Sequence, residues 1–304
     1  MKFYFQCFDK YDKWGQTPCV ENFTWDLSLY LVLYLVEEKS MDYLYDGSFE
    51  GFLSCIYLHY YEEKASGIYP QSSYQNKLLQ PCRAVETDGI RAQKVYEAIE
   101  LKISNQALKR VYYVFLSNSA EKENIALGYL RLGFRLGYKV DAYHSHPVIF
   151  EAQRIAQKVS REVHRLTGLV RFSVLGIDSA GGGGNNRELL YAKIEPDHDV
   201  LELLGEHFSD RFRGDSFIIH DARRGKALYS AGGQWYIAPL NERALPGQSE
   251  NEKVYRQMWK TYFDTIAIEE RINPACQKRM MPVRYWKNLT EMRCRSKCNK
   301  MAVR

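Results

Sequence analysis

The chain has 304 residues, 45% hydrophobic, 26% charged and 14% aromatic, with a formal net charge of +5. That length and apolar content point to a folded, soluble protein with a real core. Its longest apolar run, Leu27 to Val36, is too short to span a membrane, Met1 to Lys13 has no signal-peptide core, and seven scattered cysteines make no disulfide framework. A cytoplasmic protein without a membrane anchor is expected.

Residues 1–40 mix aromatics and charges without a period until Leu27 to Val36 and read as an N-terminal extension, either preceding a true start at Met41 or docking as an extra helix. A short strand at Tyr43 to Tyr45, an Asp46-Gly47 turn and a helix with Phe49, Phe52, Leu53, Ile56, Tyr57 and Tyr60 on one face follow. Three helical stripes come next: Ala92, Val95, Tyr96 and Ile99; then Leu108, Val111, Tyr112 and Phe115; then a helix capped by Ser119 and running towards Gly137. The fourth helix is the clearest. Pro147 suits its first turn, Ile149, Ala152, Ala156, Val159 and Val163 recur at helical spacing, and Gly168 is placed to end it in a left-handed conformation.

Beyond Gly168 the period becomes two. "VRFSVLGI", "ELLYAKI", "SFIIHD", "KALYS" and "QWYIA" read as strands of an antiparallel sheet, with a helix from Val200 to Phe212 between the second and third. Gly181 to Gly184 read as a flexible hairpin tip, because no Gly-Lys-Ser/Thr follows to make a phosphate loop. Asn241 to Gly247 is a linker, and Ser249 with Glu252 forms a capping box. The long helix it opens is expected to bury Tyr255, Met258, Trp259, Tyr262 and Ile266, until Asn273-Pro274 stops it. The expected fold is α+β: a helical first half, an antiparallel sheet with helices, then a long C-terminal helix and basic tail. The divisions are 1–40, 41–247 and 248–304.

Charge is unevenly spread. From Arg271 to Arg304 ten basic residues face one acid, Glu291, a net +9; since the whole chain is +5, the first 270 residues carry −4. A basic end on an acidic body suggests an anionic polymer as partner. Arg154, Lys158, Arg161 and Arg165 add a ridge: at 100° per residue they fall within about 60° of arc, opposite the apolar stripe of their helix. With Arg271, Arg279, Arg284 and Lys287 they could track a phosphate backbone, although a solvated helix face has the same composition. Tyr285 and Trp286, set between Arg284 and Lys287, could stack on bases or simply pack.

Glu162, His164, Arg171, His207, His220 and Asp221 are the residues of types suited to general acid/base work near the helix–sheet junction, and a structural hydrogen-bond network would use the same set. His144 and His146 with His220 and Asp221 match no zinc spacing, so no metal or cofactor is expected. Cys294 and Cys298, with Cys276, lack the third cysteine of a radical S-adenosylmethionine cluster, Met301 standing where it would be.

"YLYDGSFEGFLSCIY", "REVHRLTGLVRF", "IEPDHDVLELLGEHFSDRF", "FIIHDARRGKAL" and "TIAIEERINPACQKRMMPVRYWKNLTEM" occur in that order. Together they resemble a bacterial family labelled as DNA metabolism proteins and containing a domain of unknown function. The resemblance covers about Met41 to Met292. It implies a setting in DNA repair or modification beside a radical S-adenosylmethionine iron–sulfur protein, whose gene is a typical neighbour. Some longer relatives carry a uracil-DNA glycosylase domain after the segment that ends near Met292, and glycosylase activity is not expected to transfer to this sequence. No catalytic residue follows from the resemblance. The expected role is a DNA-binding accessory protein, with a nucleic-acid enzyme or a protein-interaction subunit as alternatives.

Overall fold

A computed structural model describes residues 41–78, 80–176, 189–247 and 249–292. The extension at 1–40, the glycine run Gly181 to Gly184 and the tail from 293, with Cys294 and Cys298, lie outside them. Strand β1 (Met41–Tyr45) leads through a turn at Gly47, whose φ of 91° suits glycine, into helix α1 (Phe49–Tyr61). Ser48 caps that helix, its hydroxyl accepting the Gly51 N–H at 2.9 Å. The chain returns as β2 (Ala65–Pro70), parallel to β1, and β3 (Cys82–Ala84) pairs in parallel on the other side of β1. The sequence marks β1 and α1 but not β2 and β3, which are short and lack a clean alternation.

Helices α2 (Gly89–Lys102), α3 (Asn105–Phe115) and α4 (Lys122–Leu136) pack on this sheet with the first half of α5 (Pro147–Leu169). Ala92, Val95 and Ile99 are buried as their spacing predicts, as are Leu108, Val111 and Phe115, whereas Tyr96 stays exposed. Each such fully buried aliphatic or aromatic side chain contributes ~1.5–3 kcal/mol relative to exposure. Ser119 does not cap α4; Glu121 precedes it without a side-chain capping bond. Gly137, with φ of 63°, ends α4 as expected. Helix α5 runs through Gly168 in ordinary helical geometry and is capped by Val170 at φ of −64°, so the expected left-handed stop does not occur.

The second sheet has the order β4-β5-β6-β7-β8, formed by Ser173–Leu175, Leu189–Ile194, Ser216–Asp221, Lys226–Ala231 and Gln234–Pro239. It is mixed rather than antiparallel. Helix α6 (Leu201–Arg211) carries the chain back between β5 and β6, and a helical crossover of this kind makes the two strands parallel. Leu201, Leu204 and Phe208 of α6 cover Phe217, Ile219 and Leu228 of the sheet, and Val159 and Leu166 of α5 close the same core. Helix α5 thus serves both cores, Ile149 to Ala156 in the first and Val159 to Leu166 in the second.

Helix α7 (Glu250–Thr265) starts where expected: the Ser249 hydroxyl accepts the Glu252 N–H at 3.2 Å. The return half of the capping box is missing, because the Glu252 carboxylate accepts instead from the Val174 N–H at 3.1 Å and from Arg256 at 2.7 Å. The expected burial of its apolar face is reversed. Tyr255, Met258, Trp259, Tyr262 and Ile266 are 63%, 60%, 42%, 55% and 55% exposed. Contacts that hold α7 to the body include its polar flank: Glu252 on β4, Arg256 on the Ser173 hydroxyl, and the Trp259 indole N–H on Glu291 at 3.2 Å. Beyond it, Asn273 caps the short α8 (Pro274–Met280), and the final described turns bury Tyr285, Trp286, Leu289 and Met292.

Candidate nucleic-acid interface

The basic ridge is fixed by how α5 begins. His146 is its N-cap and Pro147 its first residue, and Ile149, Ala152, Ile155, Val159 and Leu166 turn into the two cores. Arg154, Lys158, Arg161 and Arg165 are left on the opposite side, the first three exposed and Arg165 half-buried. Glu151 holds Arg154 in a bidentate pair, at 2.8 and 2.5 Å, and that hydrogen bond pulls its own carboxyl below the usual range. No ion pair among the described residues involves Lys158, Arg161 or Arg165.

The C-terminal cations behave differently. Arg271 and Arg279 are exposed. Arg284 is engaged by Asp197 at 2.8 Å and Glu162 at 3.2 Å, and Lys287 is paired with Glu195. Tyr285 and Trp286 are each 4% exposed and cannot stack on a base. Tyr285 donates to Glu162 at 2.6 Å and Trp286 donates to the Met281 carbonyl at 2.9 Å. Aromatics flanked by cations here form the dry anchor of a docked segment. Because Glu162 follows Arg161 on α5, Arg284 is brought beside the ridge, but with its charge balanced by acids.

Of the six candidates for acid/base chemistry, Glu162 lies deepest in a network. One of its oxygens accepts from the Asp197 N–H, Tyr285 and Arg284, and the other accepts the His198 N–H at 2.8 Å. With that many donors the carboxylate is a brace rather than a free base. Asp221 is fully buried and organises the β6–β7 turn, accepting from the N–H groups of Arg223 and Arg224 and pairing with the Arg224 guanidinium at 2.8 Å. His220, its neighbour, points to the other face of the sheet because side chains alternate along a strand, and it bonds Tyr191 at 2.8 Å. His164 and His207 are exposed on α5 and α6, and Arg171 pairs with Glu291 at 2.9 Å. The six therefore do not converge. Nor does any of them line the cleft of about 590 Å³ that opens beside β3 between Leu58, Arg83 and Arg91.

The residues that do meet Glu162 include two outside the candidate set, Asp197 and His198, although both lie in the stretch "IEPDHDVLELLGEHFSDRF". Arg223 and Arg284 both pair with Asp197, and Arg224 reaches the Pro196 and Asp197 carbonyls. His198 accepts the Asn118 N–H on Nδ1 at 3.3 Å, so its proton sits on Nε2; burial lowers its pKa despite the nearby carboxylates. The run Glu195 to Asp199 leaves the C-terminal end of β5, beside the end of parallel β6, where α/β sheets gather functional groups. Reading the β5–α6–β6 unit as a parallel crossover is the signal that would have drawn attention there.

Among the described residues no three His, Cys, Asp or Glu side chains are grouped to hold a metal, and His146 serves as the α5 cap, accepting the Val148 N–H at 3.3 Å. No described helix is long and apolar enough to cross a membrane. No curated protein and no solved structure matches the chain. A family profile described as a domain of unknown function, DUF4130, matches residues 120–291, which takes in α4, α5, the second sheet and the docked C-terminal turns. That match covers more than half of the chain, which therefore belongs to the DUF4130 family.

Proposed function

We propose that this protein is a DNA-binding accessory factor that engages the phosphate backbone through Lys158, Arg161 and Arg165, with Arg154 at the ridge's end. The observation that carries the reading is three cations side by side on one helix with no acid paired to them among the described residues, while the neighbouring Arg284 and Lys287 are neutralised. Cations already paired to carboxylates release no counterion on meeting a phosphate, so the binding surface contracts to α5, with exposed Arg271 and Arg279 as outlying phosphate ligands. The family resemblance supplies the setting: DNA repair or modification beside a radical S-adenosylmethionine protein. Co-purification that survives nuclease treatment is the test of that partner.

The binding itself is tested by fluorescence anisotropy on short single- and double-stranded DNA. The three phosphates neutralised by α5 alone predict that raising salt from about 50 to about 200 mM lowers the duplex affinity on the order of 50-fold, and contacts by Arg271 and Arg279 would steepen the fall. Affinity that is absent, or flat across that range, removes the proposal.

A further inference from the structure

Half of the large hydrophobic side chains left exposed among the described residues, ten of twenty, lie between Val254 and Val283. The densest part is α7. An amphipathic helix on a protein surface normally buries its apolar side and shows its charges. Here the orientation is inverted: Glu252, Arg256 and the Trp259 indole N–H tie α7 to the body, while Tyr255, Met258, Tyr262 and Ile266 face away from it. Nothing about local helix chemistry requires this. Ser249 would cap the helix equally well with its apolar side inward.

We propose that α7 packs against its own counterpart in a second copy of this chain, in a two-fold symmetric, antiparallel pair. Tyr255, Trp259, Tyr262 and Ile266 are spaced 4, 3 and 4 residues apart, an order that is the same from either end. An antiparallel copy therefore sets Tyr255 against Ile266 and Trp259 against Tyr262, filling each position with a large side chain. By helical angle, Lys253, Lys260 and Asp264 lie on the opposite side, and the charges that adjoin the seam, Arg171 and Glu291 beside Trp259, are paired with each other at 2.9 Å. Among the described residues the cation against the stripe, Arg171 over the Trp259 ring at 6.0 Å, is already paired with Glu291, which disfavours a nucleic-acid strand as the occupant. Together with Val254, and with Ile268 and Ile272 beyond the helix end, these residues expose on the order of 900 Å² in all, close to the ~800 Å² each partner contributes to a standard interface. Tyr, Trp and Met are also the types enriched at the centre of such interfaces.

Sedimentation equilibrium of the full chain between about 1 and 100 µM tests this. Twice the chain mass is expected. Tyr255→Glu and Tyr262→Glu, made separately, are expected to raise the dimer dissociation constant at least ~100-fold. Their circular dichroism should be unchanged, because both side chains are exposed. Tyr96→Glu, an exposed tyrosine on α2, serves as the control and should leave the dimer intact. A monomer throughout the range overturns the proposal, and the face then belongs to a different protein. A dimer that both α7 variants leave intact overturns it equally, since assembly then uses another surface.

Discussion

At the level of single residues, Glu162 holds more of the structure than any other candidate. It is 1% exposed and joins α5 to the Glu195–Asp199 run and to the docked C-terminal turn through Tyr285 and Arg284. Removing it leaves Arg284 and two buried N–H groups short of partners, so Glu162→Ala is expected to cost about 3–5 kcal/mol in urea unfolding. A loss below about 1 kcal/mol would mean that water replaces the carboxylate. None of this is legible in the sequence, because Glu162 and Tyr285 are 123 residues apart and a buried carboxylate looks there like a solvated one. Tyr285 and Trp286 are ambiguous for a similar reason: cations next to aromatics suit both a stacking site and a docked segment.

His59 gives a second test at this scale. Its ring is buried against the Ala65 N–H at 2.9 Å and Arg131 at 3.2 Å, and burial, reinforced by the Arg131 charge, lowers its pKa to about 4. A neutral imidazole accepts at only one nitrogen, so the ring cannot satisfy both donors at once. Between the ordinary histidine value of 6.5 and about 4 the unfolded chain binds more protons, so stability falls as pH drops through that window and is level above it. His198 and His220 shift in the same direction, also through burial. His59→Asn keeps an acceptor for Ala65 but does not titrate. Its thermal midpoint should fall less than the wild type's between pH 7 and pH 4.5, and parallel curves for the two proteins would refute the assignment.

Among the elements, α5 is the most legible, because an N-cap, a first-turn proline and a regular apolar stripe all agree. Helix α7 is found by its periodicity but turned the wrong way, since periodicity identifies an apolar face without saying what it faces. The β5–α6–β6 crossover is hidden by strands whose alternation suits either direction. That unit also fixes how closely α6 lies on the sheet. A Cβ on Gly205 would meet the Trp235 ring at 2.6–2.8 Å, well inside van der Waals distance. Gly205→Ala should therefore destabilise by about 1–3 kcal/mol, although alanine is the better helix former by ~1 kcal/mol. A gain in thermal midpoint would show that the helix and the indole can separate without cost.

Across the molecule, two hydrophobic cores share α5, and the same helix presents the ridge on its outer side. The excess of positive charge near the C-terminus is plain in the sequence, but its meaning is not. Among the described residues Arg284 and Lys287 are neutralised by Asp197, Glu162 and Glu195. Pairing across the fold, which composition cannot show, moves the candidate DNA-binding surface from the end of the chain to its middle. The α+β class itself is readable, because the change of period near Gly168 is sharp.

The most direct measurement of that claim is the salt dependence of duplex binding by a triple variant, Lys158→Ala, Arg161→Ala and Arg165→Ala, beside the wild type. Removing each phosphate-binding cation should reduce the slope of log K against log salt by ~0.9, a fall of about 2.7 for all three. Stability should change by no more than about 0.5 kcal/mol per substitution, because among the described residues these side chains have no ion-pair partner to lose. A slope equal to that of the wild type would show that α5 does not touch the phosphates.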